Sequence, residues 1–417
     1  MLGEFIFPVA SFADESLNKT LTNGKLDFSA HYRFEHVDDN TASDTADAST
    51  IRTTLGYNTS KFHHFNARLL LQDVRDIFVD DFNDGTARNN VKTNHAVVVD
   101  PSDTAFIESY ISFDGIAKTT FKAGRQIITY RNDPFHRFLG SVPWRQNWQN
   151  HDAFSIQNKS ISDTIINYAY SWNINRIFSD RAIGVRANFD SNSHFFNIKY
   201  SGLSHASLET YAYLQDFENS TTNSLEIYGA RFDGKRPLSD KLKAIYSLEY
   251  ATEWDYGDNI LNVDEDYFQG ELGVKLKPNE IIQAVLLKFN YELLGGDGIA
   301  SFQTPLGTNH AYQGWADRFL TTPVDGIEDY YITIAAKILG ARFIVSYHNI
   351  NSNNQSYDYG SEIDFQFTKT FMKHYIFGLK YAAYNADRNL TNITNNGATS
   401  GVANNVSKFW VWVQMKF

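Results

Sequence analysis

The 417-residue sequence contains no cysteine, only eight prolines and three methionines. Without cysteine, a disulfide framework, a thiolate metal site and a cysteine nucleophile are all excluded. Basic residues are outnumbered, since 37 Lys and Arg against 48 Asp and Glu give a net charge of −11. This charge argues against a nucleic-acid-binding protein, which normally carries a basic surface.

Long hydrophobic runs are also missing. No stretch approaches the roughly 18 consecutive apolar residues that a transmembrane helix needs. Leu2 to Ala13 resembles the apolar core of a signal peptide, but Glu4 interrupts it and no basic segment precedes it. We therefore set residues 1–25 apart as an N-terminal segment, either a signal-peptide remnant or a cloning scar, and predict one domain over residues 26–417.

Aromatic residues are abundant, at 15% of the chain, although the mean hydropathy is only −0.39. Many segments of about ten residues alternate strictly between apolar and polar side chains. Examples are residues 26–34, 65–72, 242–250, 285–293 and 363–367. This alternation is typical of membrane β-barrels, but a soluble sandwich with one solvated face alternates as well.

Connection lengths separate these two folds. About 18 candidate strands are joined alternately by tight turns and by long polar segments, at 76–103, 130–150, 294–326 and 387–406. Outer-membrane barrels have short periplasmic turns and long extracellular loops, whereas a sandwich has no reason to place its long loops at one end. We predict an all-β fold: a transmembrane up-and-down antiparallel β-barrel of about 18 strands.

The last strand supports this fold and indicates partners. Phe409, Val411, Val413, Met415 and the terminal Phe417 form one apolar face. A strand that ends the chain on an aromatic residue resembles the C-terminal signal that outer-membrane barrels present to the barrel assembly machinery. We therefore predict a location in the outer membrane of a Gram-negative bacterium, with lipid, lipopolysaccharide and this machinery as partners.

Several segments resemble the alginate export family of outer-membrane porins. They are Leu71–Arg75, Gly124–Gln126, Phe302–His310, Gly314–Asp317 and Tyr381–Tyr384. The resemblance covers nearly the whole barrel. It implies an 18-stranded barrel and the passive passage of an anionic polyuronate through a pore lined with arginines.

An 18-stranded barrel is too wide for its own side chains to fill, so it encloses a water-filled channel or a plug. Arginine suits carboxylate solutes because its planar group binds them through two hydrogen bonds. Alternatively, the same arginines pair with luminal carboxylates and only hold the wall and loops together. Arg125 faces the lumen only if a bulge lies at Gly124. The predicted lumen and selectivity residues are Arg33, Arg52, Arg68, Arg125, Arg131, Arg137, Arg145, Lys288, Arg342, Lys380, Glu108, Glu249, Glu292 and Glu362.

The long segments 130–150 and 294–326 either fold inward as a constriction or cover the mouth as a lid. Their aromatic rings either stack on sugar faces or attach the loop to the wall. The predicted constriction residues are Trp144, Asp152, Phe302, His310, Trp315 and Asp317.

We interpret the chain as an outer-membrane channel for the passive diffusion of hydrophilic solutes, favouring acidic saccharides such as alginate-type uronates. The expected solute partner is an anionic or neutral saccharide. The alternatives are a general or small-nutrient porin for organic acids or oligosaccharides, a barrel enzyme, and a plugged structural barrel. No catalytic motif is present, so we predict no enzyme activity, no cofactor and no metal. The acidic stretch 76–84 is predicted to be a solvated loop rather than a cation site.

Overall fold

The computed structural model describes residues 15–133, 135–392 and 402–417. These residues contain one helix, α1 (Glu15–Thr22), and 18 strands named β1 to β18 in chain order. The strands are Lys25–Asp39, Ala46–Asn58, Phe65–Asp81, Asp103–Phe113, Thr119–Gln126, Asn150–Asn158, Thr164–Asn175, Asn188–Leu203, Ala206–Gln215, Leu225–Pro237, Leu242–Asp255, Asp264–Leu276, Ile282–Leu294, Ile327–Ile338, Ala341–Asn351, Asp358–Phe371, Tyr375–Ala386 and Val406–Lys416. Short 3-10 helices lie at Gly184–Arg186, Thr221–Asn223, Asn309–Ala311 and Arg388–Asn392.

Each strand pairs antiparallel with the next, and β1 also pairs with β18, so the sheet closes on itself. Closure leaves no unpaired edge, which is required of a sheet surrounded by lipid. The predicted fold class, an up-and-down antiparallel barrel of about 18 strands, is confirmed.

One predicted loop begins too early. Residues 76–81 belong to β3 rather than to the loop at 76–103, because β3 continues its pairing with β2 through Thr50–Asp76 and Asp47–Asp81. Aspartates are poor strand formers, so local propensity does not indicate this extension. Cross-strand pairing outweighs local propensity at this point.

The outer face of the barrel is apolar. Leu272, Phe289 and Ile334, on three neighbouring strands, are each at least half exposed. Among the described residues, no helix is long and apolar enough to cross a membrane.

The two ends of the barrel differ in their connections. At one end, consecutive strands are joined by two to six residues, as at 204–205 and 59–64. The opposite end carries much longer connections at 82–102, 127–149 and 295–326. Short turns identify the periplasmic end of such barrels.

Loops 127–149 and 295–326 enter the barrel, and the hydrophobic core lies between them and the wall. The ring of Phe138, in the first loop, lies 5.0 Å from that of Tyr267 on β12 and 5.7 Å from that of Phe302 in the second loop. All three side chains are buried. The core of this protein is therefore inside the barrel, and among the described residues these two loops supply seven of the 35 buried residues of its main cluster.

Candidate channel constriction and lumen

The lumen-facing side of the barrel wall is extensively buried. Each of the 18 strands has at least one lumen-facing side chain that is buried, and loops 127–149 and 295–326 inside the barrel narrow the space left for a solute. In strand order these residues are Arg33, Arg52, Gln72, Ile107, Gln126, Ala153, Ala169, Phe195, Tyr211, Ile227, Glu249, Tyr267, Glu292, Asp329, His348, Glu362, Lys380 and Trp410.

The 127–149 loop is anchored to β1 and β2 through its backbone. Arg33 donates to the carbonyl oxygen of Trp144 and to the carboxylate of Asp100. Arg52 donates to the carbonyl oxygen of Arg145 over 3.1 Å and lies 4.4 Å from the ring centre of Trp148. Both arginines are buried. They therefore fix the loop inside the lumen.

Asp317 joins the two loops to the wall. Its Oδ2 accepts from Arg145 Nη2 at 3.0 Å and from Lys408 Nζ at 2.8 Å, and its Oδ1 accepts from His310 Nδ1 at 2.6 Å. Arg145 is also held by Glu35 on β1, at 3.1 Å. Burial by itself raises the pKa of Asp317. His310, Lys408 and Arg145 together lower it by more, so the pKa lies well below its ordinary value.

Lys380, on β17, is enclosed by aromatic rings. Its Nζ lies 3.9 Å from the ring centre of Trp144, 4.1 Å from Trp315 and 5.8 Å from Trp410. It also donates to Nε2 of His310 over 2.9 Å. Burial lowers the pKa of His310 to about 3, so this imidazole is neutral at physiological pH and can accept from the lysine. Cation–π contacts of this kind strengthen when water is excluded.

The opposite side of the 127–149 loop is held by glutamates. Arg131 pairs with Glu209 at 3.0 Å and with Glu249 at 2.6 Å. Arg137 pairs with Glu292 at 2.9 Å. These three glutamates lie on β9, β11 and β13 and are buried. The ion pairs thus attach the loop to three strands.

The 295–326 loop is received by acidic residues on β16. The backbone N–H of Ala316 donates to Glu362 over 2.6 Å, and that of Trp315 donates to Asp364 over 3.4 Å. Gly314 has a φ of +84°, and a Cβ at this position would lie 2.2 Å from the Glu362 carboxylate. Glycine is therefore required for the loop to approach the wall so closely.

Two further pairs lie nearer the periplasmic end. Arg68 pairs with Asp27 and, at 3.1 Å, with Glu108. Lys288 pairs with Glu271. Most of the predicted lumen cations are therefore neutralised by carboxylates, which is the structural alternative that the sequence left open.

The periplasmic mouth is different, because its lumen-facing cations are not neutralised. We call Lys235, Lys243, Lys275, Lys337 and Arg342 the basic mouth; they lie on β10, β11, β12, β14 and β15 at their short-turn ends. None of the five forms an ion pair within the described part of the chain. Further lumen-facing lysines continue the ring on other strands: Lys25, Lys122, Lys199 and Lys416.

Within the basic mouth, like charges stand directly opposite each other. Lys243 pairs with Lys275 across β11 and β12, and Lys337 pairs with Arg342 across β14 and β15. Like charges in directly opposed positions destabilise a sheet. A fold selected for stability alone gains nothing from them.

Solved structures with this fold are substrate-specific porins. OccAB2 of Acinetobacter baumannii has a TM-score of 0.71 at 16% identity, covering 96% of this chain and 99% of its own. For OpdQ of Pseudomonas aeruginosa the TM-score is 0.66 at 12% identity, with 96% and 99% covered. For OpdK of Pseudomonas aeruginosa, solved with vanillate, it is 0.68 at 10%, with 95% and 99% covered.

The chain has the fold of these porins. At such low identities the similarity establishes the fold alone. No protein-family profile and no curated protein sequence matches the chain. The predicted membership of the alginate export family is wrong, since the similar structures are Occ and Opd porins. The prediction of an outer-membrane barrel channel rather than an enzyme agrees with these neighbours.

Arg125 and Asp152 require a correction. Gln126 is the buried, lumen-facing residue of β5 and donates to the carbonyl oxygen of Ala153, so Arg125 points outward. Arg125 pairs there with Asp152 on β6, through contacts of 2.7 and 3.0 Å. Gly124 does have a φ of +119°, but the expected bulge does not reverse the strand. Asp152 is thus a strand residue on the outer face and takes no part in a constriction.

The structure brings together four of the other predicted constriction residues, Trp144, His310, Trp315 and Asp317, around Lys380. Phe302, in contrast, packs in the core between loop and wall. Of the five residues of the basic mouth, only Arg342 was identified from the sequence. The four lysines were missed, although each follows the inward phase of its strand. Within the described residues, no group of acidic or histidine side chains is arranged to hold a metal.

Proposed function

We propose that the protein is a passive channel for small anionic solutes, such as organic acids, in the outer membrane. The basic mouth carries this proposal. Its five unpaired cations face the lumen where a solute leaves the barrel, whereas most cations deeper in the barrel are paired with carboxylates. Small size is supported by the loops inside the barrel, because they narrow the space left for a solute.

The neighbour OpdK was solved with vanillate, a small aromatic carboxylate. Under this proposal, the present chain takes solutes of the same chemical class. Each solute carboxylate exchanges part of its hydration for lysine and arginine hydrogen bonds, which are stronger than those between neutral groups.

The test is the ion selectivity of the purified barrel in planar bilayers. In Lys243→Gln/Lys275→Gln, the reversal potential in a KCl gradient should move toward cations. One unit charge at about 4 Å in water is worth about 1 kcal/mol, or about fivefold in permeability per charge before screening. Arg236→Gln is the matched control, because Arg236 lies at the same end of the barrel on the outer face.

Liposome swelling with benzoate and with neutral benzamide tests the solute class directly. We expect the wild type to favour benzoate and the double variant to lose that preference. Equal permeation of the two solutes through the wild type, with unchanged selectivity in the double variant, would refute the proposal.

A plugged structural barrel is a second candidate, favoured by the buried lumen-facing side chains on all 18 strands. Such a barrel would be electrically silent in bilayers under every ionic condition. Any benzoate-dependent current rules it out.

A further inference from the structure

The carboxylate of Asp317 lies in a site that other parts of the protein build. Lys408 comes from the wall on β18, and Arg145 comes from the 127–149 loop, where Glu35 on β1 holds it in place. Only His310, among the three groups that bind Asp317, belongs to the same loop. The two cations would therefore remain as a pair if the 295–326 loop moved away.

We propose that this Arg145–Lys408 site receives the carboxylate of a transported solute, and that Asp317 fills it as a built-in solute mimic that keeps the channel closed. The inference rests on the proposed function and adds the site at which the solute acts. A solute carboxylate that displaces Asp317 leaves the charge of the site unchanged, so the exchange requires no uncompensated buried charge at its end point.

The backbone of the loop supports a displaceable contact. Asp317 has a φ of +61° and Gln313 a φ of +50°, on either side of the positive-φ Gly314. Residues other than glycine adopt this region at a conformational cost, and such strain persists only where surrounding contacts enforce it. The contacts that enforce it at Asp317 are those that a solute carboxylate would replace.

The position of the site explains why this exchange opens a path. The 127–149 and 295–326 loops lie inside the barrel, and each of the 18 strands has a buried lumen-facing side chain, so the solute path runs beside these loops. The Asp317–Arg145 contact, at 3.0 Å, joins those two loops directly. The loops also share the hydrogen bonds of Arg137 to Asn309 and Gln313 and of Gln149 to Leu306, so breaking the Asp317–Arg145 contact frees them only beside Lys408 on the wall.

The test compares Asp317→Asn with the wild type in planar bilayers, in KCl with and without millimolar benzoate. Asparagine keeps the shape of the side chain but not its charge. We expect the wild-type barrel to open more often when benzoate is added, and Asp317→Asn to be open several-fold more often without it. Asp325→Asn is the matched control, since Asp325 is a buried aspartate of the same loop with no ion pair in the described chain.

Lys408→Gln provides a second variant that leaves Asp317 in place. It weakens the site from the wall side, so we expect a higher basal current and a weaker response to benzoate. If Asp317→Asn fails to form a heat-modifiable barrel in gel electrophoresis, the basal current and benzoate response of Lys408→Gln test the inference instead.

The outcomes separate this inference from the proposed function. If benzoate permeates the wild type but the basal current and the benzoate response are the same in all variants, the solute-mimic inference is wrong and the anion channel stands. If the wild type does not favour benzoate over benzamide, the proposed function itself fails.

Discussion

Replacing Glu249 with glutamine tests whether the buried ion pairs hold the 127–149 loop in the barrel. Glu249 is 1% exposed and binds three partners: Arg131 at 2.6 and 3.1 Å, Arg231 at 2.8 Å, and the hydroxyl of Tyr211 at 2.8 Å. Glutamine preserves the size of the side chain and removes its charge. Arg131 would then retain only Glu209 as a carboxylate partner, and Arg231 only Asp233, at 3.6 Å.

The magnitude follows from what each arginine retains. Removing one partner of a buried ion pair costs about 3–5 kcal/mol. Arg131 keeps Glu209 at 3.0 Å, and Arg231 keeps Gln269 at 3.0 Å and is 20% exposed at its side chain. These remaining contacts and the partial solvation place the expected loss at the lower end, about 3 kcal/mol.

The assay is urea-induced unfolding of the barrel in lipid vesicles, followed by tryptophan fluorescence. Glu226→Gln is the matched control, because Glu226 lies on the outer face of the adjacent strand and accepts only from Tyr228, at 3.0 Å. Its loss should cost about 1 kcal/mol or less. Equal effects of the two substitutions would refute the reasoning, since the buried network would then contribute no more than one surface hydrogen bond.

Three other substitutions follow from the structure. The His310 pKa of about 3 lies below the unfolded value of about 6.5, so protonation of the unfolded chain lowers stability as pH falls from 6.5 to 3. His310→Gln should reduce this loss of stability, measured as urea midpoints at pH 8, 6 and 4. An unchanged pH dependence would contradict the prediction. Gly378→Ala would place a Cβ 2.0 Å from the Trp412 ring and should destabilise by about 1–3 kcal/mol in urea unfolding, whereas Gly270→Ala, with 3.5 Å of room, should not; similar midpoints would argue against the close packing. Phe417→Ala should lower the amount of folded barrel in isolated outer membranes, and undiminished amounts would exclude Phe417 as an assembly signal.

The fold was predictable because it depends on a pattern of period two. Lipid on one face and a polar interior on the other require alternation on every strand, and this requirement is visible at Leu26–Phe34 without any tertiary information. The extension of β3 to Asp81 was not visible, because it depends on pairing with a neighbour rather than on the aspartates themselves. Local propensity therefore described the membrane-spanning part well and the extracellular ends poorly.

The site was predictable only in its residue types. Aromatic and charged residues in the long loops indicated a constriction, but the convergence of Trp144, Trp315 and Trp410 on Lys380 depends on how two loops fold back into the barrel. Arg125 shows the opposite failure. A shift of one residue along a strand moves a side chain from the lumen to the outer face, and the glycine before Arg125 was insufficient evidence for such a shift.

The lumen cations fall into two groups with different physical roles. Inside the barrel a buried, uncompensated arginine would cost several kcal/mol. Arg33, Arg137 and Arg145 are accordingly paired with carboxylates, and the buried Arg52 donates to the carbonyl oxygens of Arg145 and Gln146. At the mouth, water screens each charge, so the opposed pair Lys243–Lys275 costs little but persists without any internal partner. Buried cations that stabilise the fold are compensated by polar or charged groups of the protein itself. Charges left without them at the end of a channel are available to the solute, and for this reason selectivity should respond to the mouth while stability responds to the constriction.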